Sequence, residues 1–131
     1  MTGESWNPPI AGDFHNAPAA SGDSPGLQAA RDIAEVPAVE VITAAAVHLM
    51  SAAAVKCGLA EDVEADLDEA RKLITVLAAL VTAAAPEIGN QHARPLRDGL
   101  RSLQLAFKEA SVVPDPPGQG PGERWTGAVL R

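Results

Sequence analysis

The sequence predicts an all-α protein: a three-helix bundle in which an apolar first helix joins an antiparallel helical hairpin, with disordered N- and C-terminal tails. Hydrophobic residues make up 47% of the 131 residues but aromatic residues only 3%. Alanine and aliphatic side chains must therefore fill the core, which favours closely packed helices over a sheet. Apolar residues also recur at helical spacing through a central stretch whose prolines stand only where a helix can begin or end.

Composition divides the chain into three parts. Residues 1–31 contain four prolines among Gly, Ser, Asn and Asp and show no lasting apolar period, which is typical of a disordered tail. Residues 32–110 form the predicted three-helix domain. Residues 111–131 are rich in proline and glycine, so we expect a second disordered arm with extended backbone.

The first helix is predicted from about Pro37 to Cys57. Proline suits the first turn of a helix because it has no N–H to leave unpaired, and Gly58 suits the position just after the last turn.

This helix is apolar nearly all round, and two neighbouring helices in a small bundle cannot cover every side of it. We therefore expect a homodimer, or another homo-oligomer, with the first helix at the interface. The candidate interface residues on its outward side are Val41, Ala44, Ala45, His48, Ala52 and Val55.

The second helix is predicted to begin after Asp66, which stands three residues before Glu69 in a capping-box arrangement, and to end near Ala85 because Pro86 follows. The third helix is predicted to start between Gln91 and Pro95 and to reach Ala110. Both show apolar residues at spacings of three and four. The short link between them predicts an antiparallel hairpin.

A cytoplasmic location fits the sequence. Cys57 is the single cysteine, so no internal disulfide can form, and the first ten residues lack the charge and apolar pattern of a signal peptide. The uncharged stretch Val41–Val55 is too short to cross about 30 Å of hydrocarbon, so no membrane insertion is expected. The formal charge of −7 disfavours general binding to nucleic acid or anionic membranes.

No residue pattern points to catalysis, a cofactor or a metal, and we expect the protein not to be an enzyme. His48 lies about 12 Å by helical rise from Glu40, too far for a shared metal, which favours a packed or interface histidine. Cys57 lies at the C-terminal end of a helix, where the dipole disfavours a thiolate. His15 and His92 have no second ligand at helical spacing.

A basic line is predicted along the third helix, at spacings of three and four residues. Its members are Arg94, Arg97, Arg101, Gln104 and Lys108. RNA or an acidic protein could dock there. The line could instead face the acidic residues around the start of the second helix, because an antiparallel hairpin brings Lys108 towards that end.

Trp125 is isolated in the Pro/Gly-rich segment. Because a large apolar ring is costly to expose, it is a candidate anchor for another protein's groove or for the bundle itself; an inert tail is the alternative.

The central residues resemble a known family. They are Val41–Gly58, the run Asp66–Ile74 and Ile88-Gly89-Asn90, followed by an amphipathic helix. This pattern is similar to the bacterial domain of unknown function 1844 family, in an actinobacterial-type member, over residues 36–110. Pro95 departs from the acidic run typical of the family's third helix. The resemblance implies a small helical protein encoded near translation genes and assigns no catalytic residue.

Two functions follow as hypotheses. The first is a non-catalytic interaction or scaffold protein that self-associates through its first helix and binds a cytosolic protein partner through the Trp125 tail. The second is an accessory factor of the translation machinery that contacts ribosomal RNA through Arg94, Arg97, Arg101 and Lys108.

Overall fold

The structure, a computed structural model, describes residues 34–130. Helix α1 spans Ala38–Lys56, α2 Leu67–Ile88, α3 Asn90–Ala110 and the short α4 Glu123–Thr126. Within the described range there is no strand, and α1, α2 and α3 pack against one another. The predicted all-α three-helix bundle is confirmed. The predicted N-terminal tail, residues 1–31, lies outside the described residues.

Helix α1 ends where the sequence predicts, within one residue. Gly58 has a φ of +90°, a conformation that favours glycine. Its N–H donates to the carbonyl of Val55 at 3.0 Å, and the N–H of Leu59 donates to Ala54 at 3.1 Å. This pair of bonds is a Schellman motif, which satisfies carbonyls that the helix end would otherwise leave unpaired.

Helix α2 begins as predicted but extends further. A carboxylate oxygen of Asp66 accepts the N–H of Glu69 at 3.3 Å and caps the first turn. The predicted end near Ala85 is wrong, because the helix continues through Pro86 to Ile88. A proline this close to the end removes only one N–H from the ladder, and the partly buried Ile88 packs against the core, which stabilises the extra turn.

Helix α3 begins at Asn90, one residue before the predicted range, so Gly89 alone links it to α2. Gly89 has a φ of +86°, which permits the sharp reversal. Near the far ends, the guanidinium of Arg71 lies over the ring of Phe107 at 5.0 Å. The start of α2 therefore lies beside the end of α3, as an antiparallel hairpin requires.

Alanine builds much of the core, as the composition predicts. Ala46 and Ala53 of α1 are fully buried, and these small side chains let the three helices approach closely. Gly99 serves the same purpose on α3, since a Cβ atom there would overlap the sulfur of Met50 on α1. The largest fully buried side chains are Ile74 and Leu77, both on α2.

The C-terminal segment, residues 111–130, differs from the predicted disordered arm because it packs against the bundle. Pro121, Gly122 and Val129 are buried. The carboxylate of Glu123 accepts the N–H groups of Gly120 and Val129, each at 2.9 Å, and so holds the segment in a compact bend. Polar contacts to backbone atoms therefore hold this segment in place, and apolar periodicity in a sequence does not predict contacts of this kind.

Candidate functional site

The outward face of α1, which we define as Val41, Ala44, Ala45, His48, Ser51, Ala52 and Val55, is open to solvent. All of these residues are exposed except Ala52, which is half-buried. Val41 is 47% exposed and Val55 37%. At about 100° per residue, the seven positions fall within roughly one third of the helix circumference. They therefore form one continuous surface of valine and small side chains with a histidine at its centre.

The opposite side of α1 holds the helix in the bundle. Ala46, Ala53 and Cys57 are buried there, and Leu49 and Met50 pack against the same core. Among residues 34–130, the contacts that hold α1 in the bundle therefore lie on this side of the helix. The six interface candidates that the sequence predicts share the other side, where no residue of the described bundle covers them fully.

Helix α1 is also a candidate membrane span by length and composition, and only 11% of its most apolar window is buried. This is weak evidence, because a single such helix also occurs in proteins outside membranes. The uncharged part, Val41–Val55, would extend about 22 Å as a helix, short of the roughly 30 Å of a bilayer core. Glu40 and Lys56 flank it directly.

The basic line on α3 lies under the C-terminal segment. Arg101 donates to the carbonyl of Leu130. Gln104 is the buried polar member of the line, and its Nε2 lies 3.1 Å from both the carbonyl of Pro121 and the hydroxyl of Thr126.

The two ends of the line differ. At one end, Lys108 Nζ lies 3.4 Å from the carbonyl of Val129, again within the C-terminal segment. At the other, Arg97 donates to the Asn90 side chain at 3.0 Å, and Arg94 is exposed. The contacts of Arg101, Gln104 and Lys108 show that this part of the line receives the chain's own C-terminal segment. Its partners are backbone and hydroxyl oxygens rather than the acids near the start of α2.

Trp125 lies on α4, which packs against α2. Trp125 is 38% exposed, and the guanidinium of Arg124 covers one side of its ring at 4.8 Å from the ring centre. Thr82, Pro86 and Arg97 line the same cleft as Trp125. The structure therefore brings together two features that the sequence treats separately, the tryptophan and the basic line.

Two contacts that no sequence pattern indicates complete the attachment of the C-terminal segment. Arg71 on α2 forms an ion pair with Asp115 at 3.0 Å, between side chains that are 43% and 28% exposed. Gly122 lies so close to α2 that a Cβ atom would come within 2.7 Å of the Cβ of Ala78. Both contacts join residues far apart in the sequence, and the local sequence around each residue does not predict them.

Within the part of the chain that the structure describes, the candidate chemical groups do not assemble into a reactive cluster. Burial raises the pKa of the Cys57 thiol above its ordinary value of 9.0, which disfavours the reactive thiolate. Among residues 34–130 no group of three His, Cys, Asp or Glu side chains could hold a metal ion. His48 and His92 lie exposed on different helices, and His15 lies outside the described residues.

Comparison with known proteins gives one family match. A family model described as "domain of unknown function (DUF1844)" matches residues 38–109, which spans α1, α2 and nearly all of α3. No curated protein and no solved structure matches the chain.

Proposed function

We infer that this chain, which belongs to the DUF1844 family, a family whose description names no activity, is a non-catalytic helical interaction protein of the cytosol that self-associates through α1. The observation that carries the proposal is the exposed outward face of α1. The seven residues of this face lie side by side on a helix whose other side is already packed.

An exposed apolar helix face is unfavourable in water, at about 25 cal/mol for each Å² of apolar surface. Val41 and Val55 stand near its two ends, and Val47, 47% exposed, lies at its edge. Single exposed apolar side chains are common on protein surfaces, whereas a contiguous apolar surface of this kind is typical of an interface. The alanines between the valines would let a second helix approach closely.

The position of the C-terminal segment favours self-association over capture of another protein by Trp125. The segment is attached to its own bundle through Asp115, Pro121 and Val129. An external groove would have to displace these contacts before it could bind the tryptophan. For the same reason the structure gives less support to ribosomal RNA contact, because Arg101 and Lys108 already donate to carbonyl groups.

A pair of valine substitutions of similar exposure tests the proposal. Val41→Glu changes the outward face of α1, whereas Val76→Glu changes a valine on α2 that is 54% exposed. We expect light scattering to show an oligomer for the wild type and for Val76→Glu, and a shift to monomer for Val41→Glu. An acidic residue is favourable in the first turn of a helix, so Val41→Glu should leave the helix intact.

Three results would contradict the proposal. The first is a monomeric wild type at micromolar concentration. The second is an equal loss of association in both variants. The third is a monomer that binds phosphatidylcholine vesicles through α1 in a flotation assay. That result would mean that a lipid surface, and not a second copy of the chain, covers this face.

A further inference from the structure

We propose that two copies of the chain pair through antiparallel α1 helices, with a two-fold axis passing beside His48. The inference rests on the self-association proposed above and specifies its geometry. It commits the outward face of α1 to one occupant, the same face of a second copy.

The outward face carries matching side chains in the same spacing when it is followed from His48 in either direction. At distances of seven, four and three residues from His48, the matched pairs are Val41 with Val55, Ala44 with Ala52, and Ala45 with Ser51. In an antiparallel pair centred on His48, each residue before the histidine stands level with its counterpart after it on the partner. Valine then meets valine and small residues meet small residues, as a self-complementary two-fold interface requires.

The spacing of the face suits a second helix lying alongside. Positions 41, 45, 48, 52 and 55 follow one another at four, three, four and three residues, the pattern of a seam between two helices that cross at a shallow angle. Alanine at two of these positions favours an axis separation near the lower end of the usual range of about 8–10 Å.

Charge at the two ends of the helix favours the antiparallel direction. Glu40, which is exposed, stands eight residues before His48, and the half-buried Lys56 stands eight residues after it. Antiparallel helices bring the acidic end of one copy level with the basic end of the other, and they also oppose the two helix dipoles. Parallel helices would instead place glutamate beside glutamate and lysine beside lysine, which is unfavourable.

Mixing two variants that carry new, opposite charges distinguishes the antiparallel from the parallel arrangement. Val41→Glu and Val55→Lys each place a charge in the seam, so each variant alone should associate about 100-fold more weakly than the wild type, or worse. When the two variants are mixed, the antiparallel arrangement brings the new carboxylate level with the new ammonium of the other chain. We expect the mixture to recover association to within about tenfold of the wild type.

The matched control is a mixture of Val41→Glu with Val41→Lys. In the antiparallel arrangement the two substituted positions lie about 21 Å apart along the helix axis, at about 1.5 Å per residue, so this mixture should stay dissociated. Circular dichroism of each variant establishes that the bundle is folded. Sedimentation of the full chains provides the readout.

The outcomes separate the two proposals. Recovery in the control mixture, without recovery in the first, would mean parallel helices; it would overturn this inference and leave self-association standing. Wild-type association that neither single variant weakens would place the interface elsewhere and overturn both. A monomeric wild type would remove the proposed function, and this inference would fail with it.

Discussion

Gln104 donates from Nε2 to the carbonyl of Pro121 at 3.1 Å, and so connects the middle of α3 to the C-terminal segment 17 residues further on. The same nitrogen lies 3.1 Å from the hydroxyl of Thr126. Gln104 is only 5% exposed, so water cannot easily replace it. This side chain fastens the segment over the basic line, and the first prediction concerns its removal.

We expect Gln104→Leu to lower the free energy of unfolding by about 1–3 kcal/mol, because the substitution leaves the carbonyl of Pro121 buried without a donor. Urea denaturation followed by circular dichroism measures this change. Gln91→Ala, at an exposed position in the first turn of α3, is the control and should alter stability by less than about 0.5 kcal/mol. Equal stability of the two variants would mean that Gln104 does not hold the segment.

A second prediction compares two glycines with similar backbone conformations. Gly122 and Gly118 have φ values of +78° and +85°. A Cβ atom at Gly122 would come within 2.7 Å of Ala78, whereas at Gly118 nothing lies within 4 Å. Both alanine variants incur the cost of a left-handed alanine, about 1–2 kcal/mol, but only Gly122→Ala should also detach the segment.

Fluorescence in a Trp6→Phe background reports that detachment through Trp125. Acrylamide should quench the Gly122→Ala variant more strongly than the Gly118→Ala variant. Identical quenching would show that the close contact between Gly122 and Ala78 does not seat the segment.

Local signals in the sequence predict where helices begin and end, but they do not predict long-range contacts. The cap at Asp66 and the stop at Gly58 depend on residues within one turn, and the sequence predicts both correctly. The predicted end of α2 is wrong because it rests on Pro86 alone and leaves out the burial of Ile88, which only the packed structure reveals.

For the candidate site residues too, the sequence predicts their positions on a helix but not their distant partners. Helical periodicity locates the face of α1 and the basic line, since each lies on one helix. It cannot show that Arg101 and Lys108 reach carbonyls of the C-terminal segment, 29 and 21 residues away along the chain. Proline and glycine predict disorder there, whereas side chains such as Glu123 hold the backbone in place.

The ion pair between Arg71 and Asp115 gives a third prediction. Because both side chains are partly exposed, solvent screens their attraction, and a double-mutant cycle of Arg71→Ala and Asp115→Ala should give a coupling energy below about 1 kcal/mol. Arg71 also lies over Phe107, so Arg71→Ala should cost more than Asp115→Ala. A larger cost for Asp115→Ala would contradict this assignment.

The fourth prediction concerns pH and Cys57. Burial raises the pKa of this thiol in the folded protein above its ordinary value of 9.0. The contribution to stability is therefore fully present below that value and is lost as the pH rises through the folded pKa, because the unfolded chain releases the proton first. Stability should fall more steeply above pH 9.0 in the wild type than in Cys57→Ser.

Alkylation provides an independent check on the same thiol. Iodoacetamide should react with Cys57 slowly in the folded protein and rapidly in urea. Fast modification without denaturant would be inconsistent with a buried thiol at the end of α1.

Both proposals depend on the outward face of α1 being covered by a second copy of the chain. Sedimentation equilibrium of the wild-type protein at micromolar concentration is the decisive experiment. We expect a mass about twice the 13.5 kDa of one chain, falling towards the single-chain value on dilution. A mass of 13.5 kDa across the whole micromolar range, with α1 folded, would show that the face stands uncovered and that the chain does not pair.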